Sequence, residues 1–128
     1  MFNSRACLTL AAMIALAGCA HDITSSSITA SLMPIKASPR NDVKRANAVT
    51  LTLESNYERT IEKDSTWMKV GSLIQGDVYK RVGDVFTVEG RNVHEAYLVV
   101  ANNSLVGFYL PHEKAFLKSI QSPIIFRD

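Results

Sequence analysis

From Ala48 onward the apolar residues of this chain fall on alternate positions, and that period of two constrains the fold more than any other feature. Val49, Leu51 and Leu53 alternate with Thr50, Thr52 and Glu54. Successive side chains of an extended chain point to opposite faces, so such a run builds a strand with one apolar and one polar face. Tyr57, Arg59 and Ile61 resume the spacing after Ser55-Asn56. A three-residue loop over Glu54 to Asn56 sets Leu53 against Tyr57 and Val49 against Ile61. Asparagine tolerates the left-handed backbone that such a loop uses. Lys63-Asp64-Ser65 predicts a further turn, and Trp67 to Ile74 a further strand interrupted near Gly71.

The clearest hairpin runs from His94 to Ala101, through Asn102-Asn103, and back from Ser104 to Leu110. Asn-Asn is acceptable where both central turn residues need positive φ. Counting outward pairs Val100 with Leu105, Val99 with Val106, Leu98 with Gly107, Tyr97 with Phe108 and Ala96 with Tyr109. An aromatic cross-strand pair contributes a few tenths to about 1 kcal/mol. Both faces of this hairpin carry apolar groups, which predicts a central place in the sheet.

Upstream, Gly76-Asp77-Val78-Tyr79 is echoed by Gly83-Asp84-Val85-Phe86. The repeat is too short for a solenoid and reads as turn, strand, turn, strand. A two-residue turn at Gly83-Asp84 sets Val82 against Val85, Arg81 against Phe86 and Tyr79 against Val88. Gly90-Arg91-Asn92 turns the chain again. Downstream, Pro111 suits the first position of a helix and Glu113 its first turn. A short helix to about Ser119 is expected, with Phe116, Leu117 and Ile120 toward the sheet, and Ile124-Ile125-Phe126 as a last strand. The expected fold is mainly β, a small antiparallel barrel or sandwich of about six to eight strands with one short C-terminal helix.

Motifs that carry chemistry are few. The sequence has no phosphate loop, dinucleotide fingerprint, Gly-x-Ser-x-Gly elbow or His-Glu-x-x-His zinc motif. Asp77 and Asp84 invite a reading as paired carboxylates, but aspartate after glycine is ordinary turn chemistry. His94-Glu95 and His112-Glu113 are brought to the same open end by the hairpin register. They form a candidate nitrogen and oxygen metal site. The same register places residue 112 opposite Val93 and turns the two histidines to opposite faces, unless Pro111 breaks the ladder. Trp67 and Tyr109 are candidates for a binding surface, although aromatics at strand positions more often serve the core. No cofactor is expected.

The N-terminus carries a different signal. Arg5 precedes the apolar run Ala6 to Ala17, which includes Leu8, Leu10, Ile14 and Leu16, and the run closes on Leu16-Ala17-Gly18-Cys19. It falls short of the roughly 20 apolar residues a spanning helix needs and has the layout of an export signal. The last four residues resemble the lipobox of bacterial lipoproteins. That resemblance implies cleavage before Cys19, a diacylglyceryl thioether on its thiol and acylation of the new amine. Two or more acyl chains make attachment stable where one binds only marginally. Within the class, aspartate directly after the cysteine tends to retain a lipoprotein in the inner membrane. Ala20 stands there, so the resemblance implies the outer membrane. Gly76 to Pro111 resembles small bacterial envelope lipoproteins of uncharacterised activity, a resemblance that implies no site residues.

The expected organisation is therefore a removed signal over 1–18, a lipidated cysteine with a flexible tether over 19–46, and a β-rich domain over 47–128. The tether contains Thr24-Ser25-Ser26-Ser27, Pro34 and Pro39. From His21 on, a free coil of its length spans on the order of 28 Å. Alternation of Ile28, Ala30 and Leu32 predicts that part of it packs as an edge strand. Lys36, Arg40, Lys44 and Arg45 make it the most basic region after Cys19, a diffuse patch that fits a solvated linker or attraction to anionic headgroups.

Charge excludes one class of partner. Of 14 basic side chains only Arg5 precedes Cys19, and 12 acidic ones balance the rest. Nucleic-acid binding would need a basic stripe. Cys7 leaves with the signal and Cys19 becomes a thioether, so the domain is expected to stand without a disulfide. These features together predict a membrane-anchored, non-enzymatic lipoprotein facing the periplasm and acting through an envelope protein partner. The alternative is a periplasmic metal-binding protein or hydrolase using His94, Glu95, His112 and Glu113.

Overall fold

The computed structural model describes residues 27–35, 43–53 and 57–127. The signal, Cys19, the first part of the tether and the loop over 54–56 lie outside the described residues. Strands make up 65% of the described residues and no helix occurs among them, so the class is mainly β, organised on a curled antiparallel half-barrel sheet. In chain order the strands are β1 (Ile28–Thr29), β2 (Met33–Pro34), β3 (Val43–Ala46), β4 (Val49–Thr52), β5 (Glu58–Ile61), β6 (Thr66–Leu73) and β7 (Gly76–Arg81). They continue as β8 (Thr87–Glu89), β9 (Val93–Glu95), β10 (Tyr97–Ala101), β11 (Ser104–Leu110), β12 (Ala115–Pro123) and β13 (Phe126–Arg127). The main sheet runs β1-β12-β11-β10-β7-β6-β3-β13, with β2 also on β6, while β4-β5 and β8-β9 are separate hairpins.

The predicted hairpin is central, as its two apolar faces require. Val99 joins a cluster with Ala30, Leu73, Val78, Tyr109 and Phe116. Its neighbours Leu98 and Val100 point the other way, into the larger cluster with Leu51, Ile61, Trp67, Phe86, Val88, Phe108, Leu110 and Leu117. The small hairpins cover the larger cluster, and residues 30–32 cover the smaller one. Leu98, Val99 and Phe108 are all fully buried. At about 1.5–3 kcal/mol for each large side chain removed from water, this two-sided burial is the main favourable term.

Irregularities bend the sheet. Val70 is the extra residue between Lys69 and Gly71 in the β6-β7 ladder, at the break expected near Gly71. Val106 is the extra residue in the β10-β11 ladder. A bulge bends its strand and increases the local twist. The expected register holds for Val100 with Leu105, and beyond Val106 it moves by one. Tyr97 faces Tyr109, Leu98 faces Phe108 and Val99 faces Gly107. The expected pairing of Tyr97 with Phe108 is thus corrected. Turn geometry sets the first rungs, and packing of both faces sets the rest.

The register of β4 and β5 follows the expectation, with Val49 against Ile61 and the Leu53 N–H donating to the Tyr57 carbonyl at 2.9 Å. Three other expectations are corrected. The C-terminal helix is absent. Residues 111–114 form a turn in which Lys114 has φ 52°, and β12 pairs with β11 through Leu110 and Ala115. Phe116 and Leu117 are apolar in succession because β12 is buried on both faces there, and Ile120 is exposed rather than facing the sheet. The Gly83-Asp84 hairpin is also absent. Gly83 does take a left-handed φ of 84°, but the Val82 N–H donates to the Thr66 carbonyl at 2.8 Å. β7 lies between β6 and β10, and β8 pairs with β9 instead. Finally, the stretch expected as tether is not free throughout. β1 pairs with β12 as the expected edge strand, β2 pairs with β6, and β3 lies between β6 and β13.

The C-terminal segment closes back over the larger cluster. The Ile124 N–H donates to the Asn103 carbonyl at 3.0 Å, and the Asn47 N–H donates to the Ile125 carbonyl at 3.1 Å. The Asn47 Oδ1 accepts from the Ile125 N–H at 2.8 Å. Phe126 pairs with Ala46 and tilts against the Tyr79 ring at 4.7 Å.

Gly107 marks the tightest point of the sheet. A Cβ there would collide with the Leu117 carbonyl and the Phe116 ring, whereas one on Gly83 would meet open space. Gly107→Ala should therefore lower the unfolding free energy by about 1–3 kcal/mol or more. Gly83→Asn should cost less, since asparagine tolerates the left-handed region. Urea midpoints of the two variants check the order.

Candidate functional site

The two His-Glu dipeptides do meet, and they meet crosswise. His94 and Glu95 are adjacent on β9, so they point to opposite faces. His112 and Glu113 lie in the turn between β11 and β12. His94 Nδ1 stands 2.8 Å from Glu113 Oε1, and His112 Nε2 stands 3.7 Å from Glu95 Oε1. Pro111 does break the ladder, since β11 ends at Leu110 and the turn carries Glu113 back to His94.

The two pairs differ in kind. His94 is only 8% exposed and Glu113 is 32% exposed, so a part-buried contact ties β9 to the turn. His112 is 74% exposed and its contact exceeds hydrogen-bond distance, and such a solvated pair contributes little. A His-carboxylate pair works as a general base only when the ring also reaches a nucleophile or substrate. The His94 ring is mostly buried and its Nδ1 is already engaged with Glu113. Among the described residues, no three of His, Cys, Asp and Glu gather as a set that could hold a metal ion.

Glu95 has a second partner that sequence reasoning missed. Tyr97, two residues on along the same face, is half-buried beside it. Partial burial pushes the Tyr97 phenol above its ordinary value of 10.0, and the Glu95 carboxylate adds to this by its charge and by accepting the hydroxyl hydrogen bond; Tyr109 contributes further. Lys80 Nζ lies over the Tyr97 ring, 5.8 Å from its centre. Period-two spacing of Glu95 and Tyr97 is the signal that could have found this pair.

The remaining candidates serve structure. Asp77 pairs with Lys69 at 3.4 Å, while the Asp84 carboxylate accepts the Val85 N–H at 2.8 Å. Asp77 sits in β7 and Asp84 beyond its far end, so they are not a carboxylate pair. Trp67 is fully buried, and Tyr109 is 5% exposed. The Trp67 indole Nε1 donates to Ser65 Oγ at 2.8 Å, and its ring meets Phe86 edge-on at 5.3 Å. Both aromatics belong to the core.

Sequence reasoning also passed over two arginines. Arg59 stacks on Phe86 with its guanidinium carbon 4.3 Å from the ring centre, and its Nε donates to the Thr87 carbonyl at 2.7 Å. Arg81 lies over Trp67 at 5.8 Å. The alternation of Tyr57, Arg59 and Ile61 on one face was the available signal for Arg59. Comparison with protein-family models, curated proteins and solved structures finds no match to the chain.

The raised Tyr97 pKa makes a pH prediction. The fold disfavours the phenolate, so stability from this group is complete below the unfolded value near 10.0 and falls as pH rises from there through the higher folded value. Tyr97→Phe should therefore lose stability less steeply than the wild type above pH about 10. Urea unfolding across that range measures both slopes, and tyrosinate absorbance should show the late-ionising component missing from the variant.

Proposed function

We propose that this protein is a lipid-anchored, non-enzymatic module of a bacterial cell envelope. The observation that carries the proposal is the sequence Leu16-Ala17-Gly18-Cys19 closing a short apolar run behind Arg5. Cys19 carries the lipid, residues 1–18 are removed, and Ala20 directs the protein to the outer membrane. The β domain then faces the periplasm and works by contact with an envelope protein partner. The core placement of Trp67 and Tyr109 and the burial of His94 support a scaffold for contacts over a catalytic pocket.

In this role the lipid does no chemistry. It confines the domain to a surface and raises its effective concentration near membrane partners. That surface also shortens the search for a partner, which a freely diffusing domain would have to meet in three dimensions.

Cells fed labelled palmitate should incorporate the label into the wild-type chain, recovered with the outer membrane, and into none of the Cys19→Ala chain. Replacing residues 1–19 by an ordinary cleavable export signal should release a soluble periplasmic domain. It should lose most of its biological effect at native expression and regain some when overproduced. Full effect from the released domain at native level, together with one tightly held metal ion per chain that is lost in His94→Ala, would point instead to a periplasmic metal-binding protein or hydrolase.

A further inference from the structure

Arg81 presents an unmet hydrogen-bonding edge. Its Nε is buried and has no hydrogen-bond partner. The neighbouring Nη2 has Glu62 Oε2 at 4.0 Å, beyond hydrogen-bond reach. Nε and Nη2 form one side of the planar guanidinium, the side that accepts both oxygens of a carboxylate. Leaving a buried charged donor unsatisfied is costly, so this edge is poised for an acceptor.

The surroundings fit a ligand site. Arg81 is opposite Trp67 in the β6-β7 ladder, and Arg59 is opposite Leu51 in the β4-β5 ladder. Arg59 stacks on Phe86 at 4.3 Å and Arg81 lies over Trp67 at 5.8 Å, both rings belong to the larger core cluster, and the two rings touch. Stacking holds a guanidinium by its face and leaves its in-plane N–H groups to point sideways. Both arginines line one shallow open cleft with Thr60, Glu62, Asp84, Val85 and Phe86. Val85 is 60% exposed and gives the cleft an apolar side.

The two acids at the cleft do not fill the role of acceptor. The Asp84 carboxylate is engaged with the Val85 N–H. Glu62 is 75% exposed, so its side chain can swing into water at little cost. Two arginines against these two acids leave the cleft with no net formal charge, which favours a monoanion over a dianion.

We propose that this cleft binds a carboxylate next to an apolar side chain, whether a free carboxylic acid or the C-terminus of a peptide. The ligand carboxylate takes the place of Glu62 and closes to about 2.9 Å on Nη2 of Arg81, and a turn of the guanidinium toward the cleft brings the buried Nε to its second oxygen. Arg59 adds the second positive charge, and the apolar side chain rests against Val85. This site is distinct from the lipid anchor and does not depend on it.

The test is a titration of the full chain, labelled with nitrogen-15 in its arginines, with N-acetylvaline. The Arg81 Nε–H signal should shift saturably, with half-effect on the order of 1–10 mM, as one charge-assisted contact at an exposed cleft gives. N-acetylvalinamide, which lacks the charge, should shift nothing, and inorganic phosphate should bind several-fold more weakly than N-acetylvaline. Glu62→Gln removes the competing carboxylate at an exposed position, leaves the core untouched, and should tighten binding two- to tenfold. Arg81→Gln should abolish it. A peptide ending in valine that binds at least tenfold tighter than N-acetylvaline identifies a chain terminus as the source, and equal affinity identifies a free acid. Equal shifts with the amide, phosphate binding as tight as the acid, or an affinity unchanged in Glu62→Gln would each overturn the proposal.

Discussion

A strand pair that is apolar on both faces has to be covered on both, and the rest of this structure follows from that requirement. Leu98 and Val99 are adjacent in β10 and both fully buried, so they feed two clusters on opposite sides of one sheet. The larger cluster is covered by the β4-β5 and β8-β9 hairpins and by the returning C-terminus. The smaller is covered by Ala30 and Leu32, which is why residues ahead of the β domain's expected start are drawn into the sheet.

The Val106 bulge reconciles the two faces. Without it, Leu98 would sit across from Gly107 and Val99 across from Val106. The bulge sets Leu98 against Phe108 in the larger cluster and Val99 against Gly107. Gly107 then accommodates the Phe116 ring and the Leu117 carbonyl of β12. A one-residue slip in a sheet exchanges its faces. Here the slip is confined to the point where the chain must bend.

Local pattern made much of this visible. Alternation from Val49 to Ile61 gave both strands and their register, because one face there is polar and fixes the phase. Asn102-Asn103 gave the central turn, and both residues adopt the expected positive φ. The failures share a cause, which is that non-local packing overrides local pattern. Phe116, Leu117 and Ile120 have helical spacing only because β12 packs at Phe116 on one face and at Leu117 on the other. The repeat at Gly83 resembled a hairpin because the turn chemistry is local, while the choice of β10 as the partner of β7 is not. At the site, the His-Glu pairs were legible as neighbours but not as a crossed arrangement, since that depends on how far the turn after Leu110 folds back. The arginine cleft was hidden because Arg59 and Arg81 are 22 positions apart and meet only through the rings of Trp67 and Phe86.

The shifted register is the claim on which the two clusters, the role of Gly107 and the strand at β12 all rest. Cross-strand nuclear Overhauser effects between backbone protons of β10 and β11 test it directly. The structure predicts contacts from Tyr97 to Tyr109 and from Val99 to Gly107, with Val106 unpaired, and a further contact from Tyr109 to Phe116 across β12. Contacts from Tyr97 to Phe108 and from Val99 to Val106, with helical sequential contacts over 112–119, would contradict it.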